Sequence, residues 1–321
     1  MRSHVYGIAL ALGLTGTAPA LNAQGYPAKP VRMVVSTAAG GSADFIARLV
    51  AGKMSASLGQ QVVVENRAGS GGVVGTDAVA KATPDGYTLL MAYGSHVINP
   101  SLYPKLPYDT QKDFAAISQI ALQPLLLSTH PALPVRTVKD LISLAKAQPG
   151  KLNFASAGAG SGGHLANEIF NQMAGIKMVH VPYRGSSPAL VDLIAGQTQV
   201  YIASLITLLP QVRNGKIRGL AVTSATRSAV MPEIPAIAET LRGYEVVNSY
   251  YLLAPAGTPA DVIAKLHAET VKAVRQPDVV ERLAKDGADP VGNTPPEAAQ
   301  YIATEIVKWG RAVKDSGAKP E

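Results

Sequence analysis

The chain has 321 residues, 47% hydrophobic and 5% aromatic, with 29 lysines and arginines against 22 aspartates and glutamates, a formal net charge of +7. It has no cysteine, which excludes disulfides, thiolate catalysis and cysteine-ligated metals. The basic residues (Lys139, Lys146, Lys151, Arg213, Lys216, Arg218, Lys272, Arg275) are scattered, a balance that attracts small anions but builds no nucleic-acid surface.

The first residues read as a leader. Arg2 and His4 precede an apolar run from Val5 to Leu14, and small residues lead to Ala20 and Ala23. This is the pattern of a secretory signal peptide over residues 1–23, cleaved after Ala23 or, as second choice, after Ala20. The run is too short to span a bilayer, and no later stretch is long and apolar enough. The mature chain of 298 residues (321 less 23) is therefore expected in the periplasm, with a net charge of +6 once Arg2 is gone. That length buries a large core without disulfide staples and suits two lobes.

Val31 to Val35 reads as a buried strand. A glycine-containing turn, Ser36 to Gly41, leads into a helix with Ser42 or Asp44 as cap and Phe45, Ile46, Leu49, Val50 and Met54 on one stripe. Such a turn leaves backbone N–H groups pointing at one spot that the helix dipole makes attractive to an anion. An ordinary βα turn is the plainer reading of the same residues. Gln61 to Glu65 is a second strand, Ala68 to Gly72 a second glycine-rich turn, and Tyr87 to Ala92 a third strand ending at Tyr93–His96. Alternation of strands and helices predicts a parallel, doubly wound α/β sheet.

Ile120 to Ser128, interrupted by Pro124, reads as an edge or crossover segment rather than a central strand. Thr137 and Asp140 form a capping box. The opening theme then returns: a strand from Leu152 to Ser156, a glycine turn from Ala157 to Gly163, and a helix from His164 to Ala174. After a strand around His180, Ser187-Pro188 starts a helix that Gly196 ends. Further α/β alternation runs to Thr223, and Tyr250 to Ala254 is a last strand. Beyond it lie helices, with capping boxes at Thr258/Asp261 and Thr294/Glu297. The plan is two α/β lobes, residues 24–125 with 250–321 and an inserted 126–249. Extended crossovers near 120–128 and 249–254 form a hinge, as in a closing ligand trap.

Several motifs bear on chemistry. Gly158, Gly160 and Gly163 fit G-x-G-x-x-G, but the position about twenty residues on holds Tyr183-Arg184 instead of an acid; an arginine suits a 2′-phosphate, which keeps NADP open. Ser70 and Ser187 each lack one glycine of a nucleophile elbow. No histidine pair has metal-ligand spacing. His180 alternates with apolar residues and reads as a hydrogen-bonded core residue. His96 and His164 follow the turns, suited equally to ligand contact and to helix capping. Asp44 is best suited to holding its turn through backbone N–H groups. No acid/base pair can be assembled, so no catalytic residue, metal or cofactor is expected.

In order along the chain, AAGGSADFIAR, ENRAGSGGVVGTDAVAKATPDGYTLLMA, INPSLYPKLPYD, ASAGAGSGGHLANEIF, HVPYRGSSPAL, RGLAVTS and PEIPAIAE resemble the Bug-type receptors of tripartite tricarboxylate transporters, bacterial periplasmic solute-binding proteins. The resemblance covers essentially all of the mature chain. It implies a type II periplasmic-binding-protein fold, two doubly wound α/β lobes joined by two crossover strands with a ligand cleft between them. It implies that one carboxylate is held by the loop Ala38, Ala39, Gly40, Gly41 and Ser42, flanked by Thr37 and Asp44. The far end of the ligand is then met by Ser156, Gly158, Ser161, Gly162 and His164 and by Tyr93, Ser95 and His96. The partners implied are a small organic carboxylate and membrane permease subunits, with the receptor a monomer.

Two departures stand out. Ser36-Thr37 replaces a common proline-phenylalanine. Where members that bind amino acids carry an aspartate, this chain has Ala203, beside Ser204, so a ligand ammonium would lack a counter-charge. The expected ligand is a di- or tricarboxylate or an aromatic carboxylate without an amino group. A sensor that reports to a two-component kinase and an exported hydrolase of carboxylate esters are the alternatives.

Overall fold

The computed structural model describes residues 25–320 apart from 229 and 317; the expected leader and its cleavage sites lie outside the described residues. The first sheet begins with β1 (Val31–Val35), α1 (Ser42–Leu58), β2 (Val62–Asn66), α2 (Val73–Ala80), β3 (Thr88–Ala92) and α3 (Ser95–Leu102). β4 (Phe114–Thr129) leads to α4 (Val138–Ala147), β5 (Asn153–Ser156), α5 (Gly162–Ala174), β6 (Val179–Pro182), α6 (Ser186–Ile194), β7 (Val200–Ser204), α7 (Leu205–Arg213) and β8 (Arg218–Val222). β9 (Val247–Pro255), α8 (Ala260–Val274), α9 (Pro277–Lys285), β10 (Asp289–Pro290) and α10 (Pro295–Ser316) complete the chain.

β1 is apolar at most positions because both of its faces are covered. Val31, Met33 and Val35 pack with Ile46, Val50 and Met54 of α1, while Val34 enters the opposite core with Val79 and Leu90. Each such side chain contributes roughly 1.5–3 kcal/mol on burial. β2, β1 and β3 are parallel, as are β6, β5 and β7. Antiparallel pairing enters only through the long strands: β9 lies between β3 and β4, and β4 pairs with β7 and β8. The path β2-β1-β3-β9-β4-β7-β5-β6 thus joins two α/β layers through β4.

β4 runs through the middle of this path, longer and more central than the expected 120–128 segment. The proline inside it is tolerated for a local reason. Residues up to Pro124 pair with β9 and residues from Leu125 pair with β7, so the missing N–H falls where the strand changes partners. There the Leu125 N–H donates to the Thr223 hydroxyl at 2.7 Å.

The capping box at Thr137/Asp140 is present, and Glu297 accepts from the Thr294 N–H and hydroxyl, both at 2.8 Å. The expected box at Thr258/Asp261 does not form: the Thr258 hydroxyl donates instead to the Pro255 carbonyl at 2.8 Å, closing the turn after β9. α3 escapes sequence reading because it is only 8 residues long and carries Pro100. Among the described residues no helix is long and apolar enough to cross a membrane.

Candidate functional site

Four helices begin at one small chamber. The N-caps of α1, α5, α6 and α7 are Gly41, Ser161, Gly185 and Ser204, and all four residues line a cavity of about 50 Å³ between the two sheets. Only Ser161 caps with its side chain, its hydroxyl accepting from the His164 N–H at 3.3 Å. The other three starts have no side-chain cap, so first-turn N–H groups are left for whatever fills the chamber. Each helix start carries about half a positive charge from its dipole. No charged side chain lines the cavity among the described residues. The chamber is therefore an anion acceptor that contains no cation, built from aligned peptides as at other helix N-termini.

Hydroxyl groups complete the lining. The Tyr250 phenol lies 2.7 Å from Ser42 Oγ, donates to Gln123 Oε1 at 3.1 Å and accepts from Asn248 Nδ2 at 2.9 Å, while Asn248 Oδ1 accepts from the Gly94 N–H at 3.2 Å. Burial pushes the Tyr93 and Tyr250 phenols up to about 12, so both remain protonated. Tyr201 is fully buried in the chamber wall near Ser186, and burial raises its phenol well above the ordinary value. Its hydroxyl and that of Thr37 have no hydrogen-bond partner among the described residues.

An outer chamber of about 550 Å³ adjoins the first, sharing Thr37, Ala38, Tyr93, Ala157 and Gly185 with it. It is walled by the turn around Ser70, by Tyr103, by Gly158 and Ala159, and by Pro182, Tyr183 and Arg184. The two sides of the cleft meet through small residues. The Ser187 hydroxyl lies 3.5 Å from the Ala39 carbonyl, and a Cβ on Gly71, itself at φ +60°, would fall 2.5 Å from the Ala159 carbonyl oxygen.

Of the residues expected to contact ligand, Thr37, Ala38, Gly41 and Ser42 line the inner chamber from the first sheet, with Tyr93. Ser161, Gly162, Ala203 and Ser204 line it from the second sheet, and Gly158 lines the outer chamber. The rest stand behind the wall. Asp44 does not cap α1. Its carboxylate accepts from the Gly40 N–H at 3.0 Å and pairs with Arg48 at 2.9 Å, bracing the loop whose Ala39–Gly40 rim faces Ser187. Burial alone would raise the Asp44 carboxyl, but hydrogen bonds from Arg48, the Gly40 N–H and Asn66 outweigh it and hold it below the usual range.

Ser156 is fully buried beneath the second glycine turn, its hydroxyl accepting from the Gly158 N–H at 3.1 Å and lying 2.6 Å from His180 Nε2. This serine–histidine pair supports a loop and is closed off from both chambers. His164 Nδ1 accepts from the Gly160 N–H at 3.1 Å, and its ring stacks on His180 at 4.0 Å. Burial, then the neighbouring His180, takes His164 down to about 3, so it is neutral.

Ser95 is buried behind Tyr93 and Gly72. His96 departs furthest from expectation. It turns away from the cleft into a separate pocket of about 110 Å³ with Phe114, Leu253 and Ile302, because α3 begins immediately after β3 and carries the side chain to the far face.

Sequence reasoning missed Gly185, Ser186, Tyr201 and Asn248 as lining residues. Gly-Ser-Ser-Pro at 185–188 did signal a helix start, but nothing in it told where that start pointed. Tyr201 and Asn248 carry no local signal at all.

Two sheets that share a strand, with uncapped helix starts from both turned onto one chamber, define a two-lobed solute-binding receptor. The chain belongs to the family described as tripartite tricarboxylate transporter family receptors, whose sequence profile matches residues 46–318. It is 40% identical over 317 residues to protein BugT of Bordetella pertussis, covering 97% of each chain. Among solved structures, it is similar to R. palustris Rpa4515 with adipate, at 36% identity and a TM-score of 0.90 over 92% of this chain and 100% of that one. It is also similar to MatC of Rhodopseudomonas palustris with bound malate, at 33% identity and a TM-score of 0.86 over 90% of this chain and all of the other.

Proposed function

We propose that this protein is a periplasmic receptor that closes over a small organic carboxylate and passes it to the membrane permease of a tripartite tricarboxylate transporter. The observation that carries the reading is the convergence of four helix N-termini on one chamber free of charged side chains. That field favours an anion and repels a cation. Thr37, Ala38, Gly41 and Ser42 hold the carboxylate from one lobe and Ser161, Gly162 and Ser204 from the other, so a bound ligand favours the closed state by touching both. β4 and β9 carry the hinge between a lobe of residues 24–125 and 250–321 and a lobe of residues 126–249. The solved relatives with adipate and malate support the carboxylate class.

The ligand has no amino group. Ala203 lines the chamber where an ammonium would need a carboxylate, and none is present there among the described residues. The protein works as a monomer and turns nothing over: the Ser156–His180 pair lines neither chamber.

The deciding experiment is a thermal shift of the mature protein against mono-, di- and tricarboxylates, aromatic acids and amino acids, with recovery of the ligand. A ligand at a hundred times its dissociation constant adds about 2.7 kcal/mol to the folded state. A shift confined to carboxylates recovered unchanged is expected. An amino acid giving the largest shift would overturn the ligand class, and hydrolysis of an ester panel would overturn the receptor reading.

A further inference from the structure

The inner chamber is small, about 50 Å³, and its lining among the described residues is neutral. The outer chamber differs by a single residue. Arg184 is the one charged side chain among the described residues that line it. Arg184 is exposed and makes no hydrogen bond or ion pair among the described residues. The nearest acid in its segment, Asp192, is already engaged, accepting from the Tyr183 hydroxyl at 2.7 Å.

The backbone around Arg184 is fixed on both sides. The Tyr183 N–H donates to the Ser156 carbonyl at 3.1 Å, tying the segment to the second glycine turn. Gly185 at φ +124° is the N-cap of α6 and packs against Ala38. A guanidinium on a backbone held this way, with no acid paired to it among the described residues, at the open end of a cleft whose closed end takes an anion, is an available counter-charge. Tyr93 and Tyr103 line the space between, suited to an apolar or aromatic spacer.

We infer that Arg184 determines specificity by pairing with a second anionic group on the ligand, so that the receptor prefers elongated dicarboxylates to monocarboxylates of equal length. This rests on the carboxylate reading above. The test is calorimetric titration of the mature protein with hexanoate, succinate, adipate, suberate, benzoate and terephthalate, in wild type, Arg184→Met and Arg184→Lys. In wild type the better long dicarboxylate should bind at least tenfold tighter than its monocarboxylate counterpart, with a steeper salt dependence. Arg184→Met should bring that ratio close to one while leaving monocarboxylate affinity within twofold, and Arg184→Lys should restore part of it. A ratio unchanged by Arg184→Met, or equal weakening of both ligand classes, overturns the inference and leaves the carboxylate reading standing. If wild type binds none of the six acids, the carboxylate reading itself falls and the role of Arg184 with it.

Discussion

Replacing Tyr201 with phenylalanine removes one oxygen from the wall of the inner chamber and nothing else. In the free protein that hydroxyl is buried with no hydrogen-bond partner among the described residues. Its polar neighbour, the Ser186 hydroxyl, is not placed for a well-formed hydrogen bond, so removing the phenol oxygen gives up little and relieves a group that had lost its water without full replacement. The free Tyr201→Phe protein should be as stable as wild type or more stable by up to about 1 kcal/mol, a rise of roughly 2–4 °C in melting temperature.

Ligand binding should move the other way. A hydrogen bond to a charged acceptor contributes about 1.5–3 kcal/mol, so losing the phenol donor should weaken a carboxylate by roughly 10- to 150-fold. Calorimetry and a melting curve on the same preparation read both quantities. The opposed signs are diagnostic, since a merely structural tyrosine would lower stability and affinity together. An unchanged dissociation constant would show that Tyr201 does not face the ligand. A melting temperature several degrees lower would show that its hydroxyl has a structural partner.

Two further perturbations test the supports of the site. Asp44→Ala strips the acceptor from the Gly40 N–H and should cost about 2 kcal/mol in urea unfolding, most of it from that charged hydrogen bond, because the ion pair to half-exposed Arg48 adds little. Asp44→Asn, which keeps an acceptor, should lose less, and an unchanged midpoint for the alanine variant would refute the bracing role. With its carboxyl held low in the fold, Asp44 contributes stability above the ordinary aspartate value that is lost as pH falls through the folded one. The histidines set a separate window. Burial takes His96 and His180 down to about 4 and His164 to about 3, whereas in the unfolded chain they take protons near the ordinary value of 6.5. Stability should be complete above that value and fall as the pH drops below it, by about 2 kcal/mol per deeply buried histidine between pH 6.5 and 5. Urea midpoints that stay flat over that range would contradict the burial of His96 and His164.

Much of the fold was legible in the sequence because the relevant physics is local. The apolar run at Val31–Val35, the glycine turns before α1 and α5, and the cap residues at Thr137 and Thr294 each act on neighbours within a turn or a strand pair. The absence of an acid at Ala203 is likewise a fact of composition that folding cannot change. Where the sequence reading failed, a distant partner decided the outcome. Pro124 reads as a defect until β9 hands the strand over to β7 and β8 at that residue. Thr258 is a cap by spacing, yet its hydroxyl goes to Pro255.

The site itself was decided by tertiary structure. Gly41, Ser161, Gly185 and Ser204 are each the N-cap of a helix, and only the crossing of β4 between the two sheets brings the four starts to one chamber. The bond between Tyr250 and Ser42 joins residues 208 apart, and the same folding turns His96 away from the cleft into a separate buried pocket and Tyr201 into the chamber wall. Helix starts and turns follow from the residues next to them in the chain, but the direction in which they point their N–H groups depends on how the layers pack.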